Sequence, residues 1–486
     1  MRRMLWLIQK DQLAFARPHV TMAPQPAPAA TALADSAEIL TADLHNPSRR
    51  IAFFCALIVV FLRVSMMHQT LSILFGVNLY VLYVFSLPAV IGLLVCRGVQ
   101  RTFRGRPSIY WMGFAIWMAI DVPFSIWRGG SFPLVYDYFR VTVPILFMVA
   151  GLVLSWQEFR WTLWATAIGG LVLLVSSQTY TSENARYGSR FGLQMGTISN
   201  PNDFAGHLIF VLPFLVWGVL ATRNILVRLV LLGGIGYSVL LVVKTASRGA
   251  ALGLVLMAVY YLLRAPLRQK VAIAVFVPVC AALVITLAPP EALRRIMSFK
   301  DSSGAVQEAV ASQEARTYLF QKSLDYTLQF PIFGIGPGEF STYEVFHSEV
   351  AGMKHGLGFS THSSYTQASA ECGIPGFLLF VAGLVSSYLF LNKVYRDTKD
   401  RPELRDLRMA AFCIMLSLVS FALVIGFLNF AYFFYEPFYG GLAIALARAA
   451  KEEIRTRPSQ PANPPAPFPP PAWTRLTRVT RGMVRS

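Results

Sequence analysis

The sequence predicts an all-α, polytopic membrane protein of about twelve transmembrane helices with one long, partly helical periplasmic loop. Three observations carry this. Of the 486 residues, 55% are hydrophobic and only 14% charged, where a soluble globular chain usually has about 25% charged residues. Apolar runs close to the ~20 residues that cross a bilayer recur from Arg49 to the region of residue 450. Lysine and arginine gather in short segments between those runs and in the tails, the positive-inside pattern of cytoplasmic loops. That distribution argues against nucleic acid as the partner of a chain with net charge +18.

Residues 1–48 read as a disordered cytoplasmic tail, because "MAPQPAPAATALADSAEILTADL" is rich in Ala and Pro and lacks periodicity. The main domain is 49–450. Its expected spans are 51–67, 73–95, 109–127, 134–154, 161–177, 204–221, 225–243, 249–263, 271–288, 366–391, 409–428 and 434–448. The basic segments "RGVQRTFRGR" (97–106), "RAPLRQK" (264–270) and "NKVYRDTKDRPELRDLR" (392–408) alternate so as to share the cytoplasmic side with Arg49, Arg50 and both termini. Residues 451–486 form a Pro-rich, basic cytoplasmic tail suited to contact with anionic lipid or to no role at all.

Two outer segments exceed ordinary turns, 178–203 and 289–365. The second contains a helical pattern, "EARTYLFQKSLDYTLQF" (314–330), and a turn-rich "FGIGPGEF" (333–340). The five cysteines lie in or beside apolar runs without metal-ligand spacing, so they read as buried free thiols and no metal or cofactor is expected.

Ionisable residues at membrane depth or at its edge invite a functional hypothesis. Arg248 in "KTASRGA" offers planar, permanently charged donors to a phosphate, the alternative being a snorkelling helix-end arginine. Lys244, Arg190 and Arg316 share its side, and cations on the outer face run against the positive-inside trend. In "GTISNPNDFAGHL", Asn200 suits an N-cap, Pro201 the first helical position and Asp203 the helix dipole. Asn202 and Asp203 are also candidate substrate-binding residues, while His207, one turn deeper, reads as a packed core histidine. His362 stands at the outer mouth of the tenth span, with Ser360 or Thr361 placed to cap it, and a neutral imidazole there can take a proton from an acceptor hydroxyl. Glu371 follows by nine residues, about 900° of rotation, so it projects from the opposite face. Pro375 frees its carbonyl, and Gly373 and Gly376 loosen the helix there. Glu371, Gly373 and Pro375 therefore read as structural, with an arginine or hydroxyl of another helix as the carboxylate's partner.

Taken in order, "NPNDFA", "SRGA", "FPIFGIGPGEF" and "HSSYTQASAECGIPGF" resemble the O-antigen ligase and polysaccharide polymerase family of bacterial inner-membrane proteins, from about residue 50 to 450. The resemblance implies a metal-independent glycosyltransferase of the bacterial inner membrane. Its donor would be a glycan on undecaprenyl diphosphate, and its acceptor a hydroxyl of the lipid A core, of another glycan or of a protein. Carried over by position, Arg248 and Arg316 bind the diphosphate, His362 acts on the acceptor hydroxyl, and Arg190 is a further candidate. Fixed guanidinium groups in a water-poor cleft suit the charge that develops on a diphosphate leaving group. The competing expectation is a transporter or flippase of lipid-linked glycans. A transporter favours repeated halves and polar residues at the bilayer midplane, whereas this chain shows no repeat and gathers its informative residues near one face. A membrane protein that merely binds lipid-linked sugar would need the same residues except His362.

Overall fold

The computed structural model describes residues 43–179, 190–193, 195, 198, 200–265, 304–347 and 359–457, with the single positions 270, 286, 290 and 293. The expected span 271–288, most of the tails and parts of both long outer segments lie outside the described residues. The chain divides into a unit of residues 1–47 and one of 48–486; only residues 43–47 of the first are described.

The described residues of the second unit form helices joined by turns and loops, with one isolated bridge between Met195 and Ile198. Its helices are α1 (Pro47–Ser65), α2 (Met67–Phe75), α3 (Val81–Val95), α4 (Gly98–Phe103), α5 (Arg106–Asp121), α6 (Arg128–Asp137), α7 (Val143–Leu152) and α8 (Trp156–Thr179). They continue with α9 (Pro201–Ala221), α10 (Ile225–Lys244), α11 (Arg248–Arg264), α12 (Gly304–Gln329), α13 (Phe340–His347), α14 (Ser364–Asp397), α15 (Arg405–Val424) and α16 (Tyr435–Thr456).

Among the described residues, six helices are long and apolar enough to cross a membrane, or seven if α1 and α2, bent by 73°, count as one. Twelve were expected, and length accounts for part of the difference. α3 and α5 have 15 and 16 residues, short of the ~20 a straight crossing needs, and α16 carries charge along its second half. The expected span 73–95 is interrupted. Gly76, at φ 68°, ends α2, and the next helix starts only at Val81. Between Arg128 and Leu152 the span is continuous through a π-turn at Tyr138–Thr142.

α9 lies at the centre: 78% of its most apolar window is buried, against 28% for α10, whose remaining surface is left for lipid. α9 packs on α8, α10 and α15, while α14 packs on α5, α12, α15 and α16. At one end of the bundle the last carbonyls of α7 lack helical partners. Arg101 Nε donates to Gly151 O (2.9 Å), Arg49 Nη1 to Leu152 O (2.9 Å) and Arg448 Nη1 to Val153 O (2.8 Å). Arg49 also pairs with Glu158 at 2.7 Å, and both are buried. Arg49, read from sequence as a cytoplasmic loop charge, is thus part of a buried lock, because three guanidinium groups satisfy a helix C-terminus that carries partial negative charge.

Candidate active site

The opposite end of the bundle collects the starts of α9, α11, α14 and α16 and the ends of α10 and α15. Asn200 caps α9: its Oδ1 accepts from Asn202 N (2.9 Å) and Asp203 N (3.1 Å), and its Nδ2 donates to Asp203 Oδ2 (2.7 Å). Pro201 takes the first helical position, where a missing N–H costs nothing. Arg190 bridges to the neighbouring turn, donating from Nη2 to Asn202 Oδ1 (2.8 Å) and from Nε to Thr245 O (2.8 Å). Phe191 N donates to the carbonyl of Lys244, the last residue of α10 (3.1 Å).

The turn from α10 to α11 is tight, with Ala246 at φ 49°. Arg248 is the first residue of α11, and Gly249 beside it lies so close to the Phe427 ring that any side chain would press on that ring. α14 is entered through His362, itself in the left-handed region at φ 55°, a conformation uncommon outside glycine. Ser363, not Ser360 or Thr361, holds the N-cap position of α14. The hydroxyls expected to cap it serve another purpose. Thr361 Oγ1 donates to Asn429 Oδ1 (2.8 Å), and Asn429 Nδ2 donates to Ser360 Oγ. Ser364 Oγ donates to Leu428 O (2.8 Å) and accepts from Phe430 N (2.8 Å). The entrance of α14 is thereby stitched to the link between α15 and α16.

These elements enclose a cavity of about 340 Å³ whose polar lining is Asn200, Asn202, Asp203, Ser360, His362 and Asn429, with Phe427, Phe430 and Phe433 among its apolar walls. Asn202, Asp203 and His362 thus share one chamber, although 160 residues separate the first and last in sequence. Arg316, like Arg190, Lys244 and Arg248, is not part of that lining; from α12 it acts on His362 through its charge. It shares a helical face with Leu319, Ser323 and Thr327, the face that packs on α14 through a 2.8 Å hydroxyl contact between Thr327 and Ser369. Burial first, then the Arg316 guanidinium, push the His362 imidazole down to about 4. The ring is therefore unprotonated at neutral pH, with a lone pair free for a proton, and is a weaker base than an ordinary imidazole.

Glu371, Gly373 and Pro375 lie outside the cavity, in the second half of one device. Gly373, at φ 67°, breaks α14, and a side chain there would strike the carbonyl of Ile332. The segment Pro331–Phe340 lays its backbone along the break. Ile335 N donates to Ala370 O (2.9 Å), Gly336 N to the Glu371 carbonyl (3.0 Å) and Ile374 N to Pro331 O (2.8 Å). The Glu371 carboxylate accepts from Gly338 N (3.0 Å), Phe340 N (3.3 Å) and the Tyr432 hydroxyl (2.5 Å). Its partners are thus two backbone amides and one hydroxyl.

His207 is fully buried, with its ring nitrogens 2.7 Å from Tyr435 Oη and 3.0 Å from Val64 O. Sequence reasoning missed Asn429, and Ser360 as a wall of the cavity. Asn429 had one available signal: it is a lone amide in the aromatic run "GFLNFAYFF". Among the described residues, no group of three or more His, Cys, Asp or Glu side chains is arranged to hold a metal ion.

Residues 233–381 match the family model described as O-antigen ligase. No curated protein matches the chain. The matched stretch holds Lys244, Arg248, Arg316, His362 and Glu371, while Asn200–Asp203 and Phe427–Phe433 complete the cavity from either side of it. Residues 233–381 are therefore similar to the O-antigen ligase family, and among the described residues six helices are long and apolar enough to cross a membrane.

Proposed function

We propose that the chain transfers a glycan from undecaprenyl diphosphate to an acceptor hydroxyl at the periplasmic face of the inner membrane. The observation that carries this reading is the chamber in which His362, held neutral, meets Asn202 and Asp203 with the Arg316 charge beside it. The orientation is supported by the separation of charge along the bundle. The arginines that lock α7, together with the basic links 97–106 and 392–408, lie at the end away from the cavity.

In the reaction, the acceptor oxygen attacks the anomeric carbon as the bond from that carbon to the diphosphate oxygen breaks. The hydroxyl proton passes to the His362 imidazole, and the bonding pair leaves with the diphosphate. Arg316 and Arg248 hold the departing anion, with Lys244 adding positive charge from the end of α10. A dry, preorganised cluster of guanidinium groups is effective at this task because no solvent has to reorganise as charge develops. Arg190, fixed to Asn202 and Thr245, positions the Asn202 amide, and Asn200 Nδ2 holds the Asp203 carboxylate, toward sugar hydroxyls. Binding of the diphosphate also offsets the Arg316 charge felt by His362, which makes the ring a stronger base when the donor is present. No step requires a cofactor.

The test is reconstitution of the purified protein in liposomes with an undecaprenyl-diphosphate oligosaccharide. Separate arms supply lipid A core, a second lipid-linked chain or a protein as acceptor. A new glycosidic bond in one arm supports transfer and names the acceptor class. Movement of the intact lipid-linked glycan across the bilayer without a new bond points instead to a transporter.

A further inference from the structure

α12 has three distinct faces in its second half. Leu319, Ser323, Tyr326 and Thr327 are buried toward α14 and α13. Gln321, Asp325 and Gln329 are exposed and polar. Beside them, at spacings of four, stand Phe320, Leu324 and Leu328, which remain 42–76% exposed. Three large apolar side chains in a row on the outside of a helix are not explained by packing within the chain.

The stripe does not stop at the helix end. Ile332 is 56% exposed, and Pro331 O accepts from Ile374 N at 2.8 Å, so Ile332 adjoins Ile374 at the break of α14. From there, exposed Ile374, Leu378, Val385 and Leu389 run down α14. α14 has 34 residues, about 51 Å at 1.5 Å per residue, well beyond a hydrocarbon thickness of ~30 Å. The part after Gly373 is by itself sufficient to cross, which puts the break near the edge of the membrane. The apolar stripe of α12 is therefore continuous with a surface that lipid already covers.

We infer that α12 is an interfacial helix that rests its Phe320–Leu324–Leu328 stripe in the acyl and headgroup boundary of the leaflet on the cavity side, with membrane lipid as its occupant. Gln321, Asp325 and Gln329 face water above it. Arg316, nearer the start of the same helix and turned toward His362, is then held at headgroup level. That is the depth at which the diphosphate of a lipid-anchored donor sits, a consequence that rests on the transferase reading, whereas the placement of α12 does not.

The experiment is site-directed spin labelling of the full chain in nanodiscs of phosphatidylethanolamine and phosphatidylglycerol. Leu324→Cys and Leu328→Cys probe the stripe, Gln321→Cys and Asp325→Cys the polar face, and the labelled parent gives the background from native thiols. All four positions are exposed, so the packed face is untouched. Labels at 324 and 328 should relax strongly with oxygen and weakly with a water-soluble nickel chelate, and labels at 321 and 325 the reverse. Nickel access at 324 and 328 equal to that at 325 would overturn the inference. Shielding of 324 and 328 from both reagents would also overturn it, in favour of a protein partner or a second copy. The readout needs no catalysis, so a failed transfer assay leaves it intact.

Discussion

Replacing Glu371 by alanine removes the acceptor for Gly338 N, Phe340 N and the Tyr432 hydroxyl at once. Glu371 is only 2% exposed, so water has little access to the donors left behind. Each buried donor left unsatisfied costs about 1–3 kcal/mol. Partial relaxation makes such costs less than additive, so the three donors together give a loss of about 3–6 kcal/mol. Against a typical total stability of about 5–15 kcal/mol this is severe. Glu371→Gln keeps one acceptor oxygen but turns an NH₂ toward a donor, and is expected to cost about 1–3 kcal/mol. The damage should be local before it is global: the Pro331–Phe340 segment loosens, and with it the C-terminal anchor of α12, the helix that carries Arg316. Thermal unfolding in nanodiscs gives the stability loss, and hydrogen exchange gives its location, at the amides of Gly338 and Phe340. The reasoning is refuted if Glu371→Ala melts with the parent, or if those two amides exchange as slowly in the variant as in the parent.

Other consequences are equally open to measurement. Gly373→Ala forces a side chain into the left-handed region and against the Ile332 carbonyl, so a loss of at least about 1–3 kcal/mol is expected in the same melting assay. Glu158→Ala strands the buried Arg49 guanidinium, which should cost about 3–5 kcal/mol; unchanged melting would show that the lock contributes nothing. Burial and Arg316 hold His362 down to about 4 in the free chain and bound diphosphate offsets the Arg316 part, so transfer by the parent should persist at pH 7 and be lost at a pH between the ordinary 6.5 and about 4. Between the ordinary value of 6.5 and about 4 the unfolded chain binds the proton and the folded chain does not, so stability also falls with acidification across that window. Arg316→Ala removes one of the two causes and should raise the His362 titration toward 6.5, as read by histidine NMR.

What the sequence revealed and what it hid follow from the range of the forces involved. Apolar runs report the membrane directly, so the spans from α6 to α10 and at α14 and α15 were legible, with ends that differ from the expected ones by up to seven residues. The cap of α9 was legible because capping is local: Asn200, Pro201 and Asp203 act within one turn. The break between α2 and α3 was not, because Val77, Leu79 and Tyr80 are apolar and read as one continuous run. The Arg49–Glu158 pair joins residues 109 apart, and its partner cannot be inferred from local pattern. Thr361 looked like a cap because it precedes a helix; its hydroxyl instead serves Asn429, 68 residues away. The phase argument that separated His362 from Glu371 assumed one regular helix, but His362 precedes the N-cap Ser363 at φ 55° and lies outside α14. What Glu371 holds was out of reach, because the Pro331–Phe340 segment is joined to it only by tertiary structure.

The central claim is that His362 takes the acceptor proton while Arg316 and Arg248 hold the leaving diphosphate. Its most direct test is single-turnover transfer from a radiolabelled undecaprenyl-diphosphate oligosaccharide by reconstituted His362→Ala, with donor binding measured on the same vesicles. The account predicts that donor binding is retained and that the transfer rate falls by about 10²-fold or more, the usual contribution of a positioned general base. Transfer at the parental rate by His362→Ala, with the donor bound as before, would contradict it.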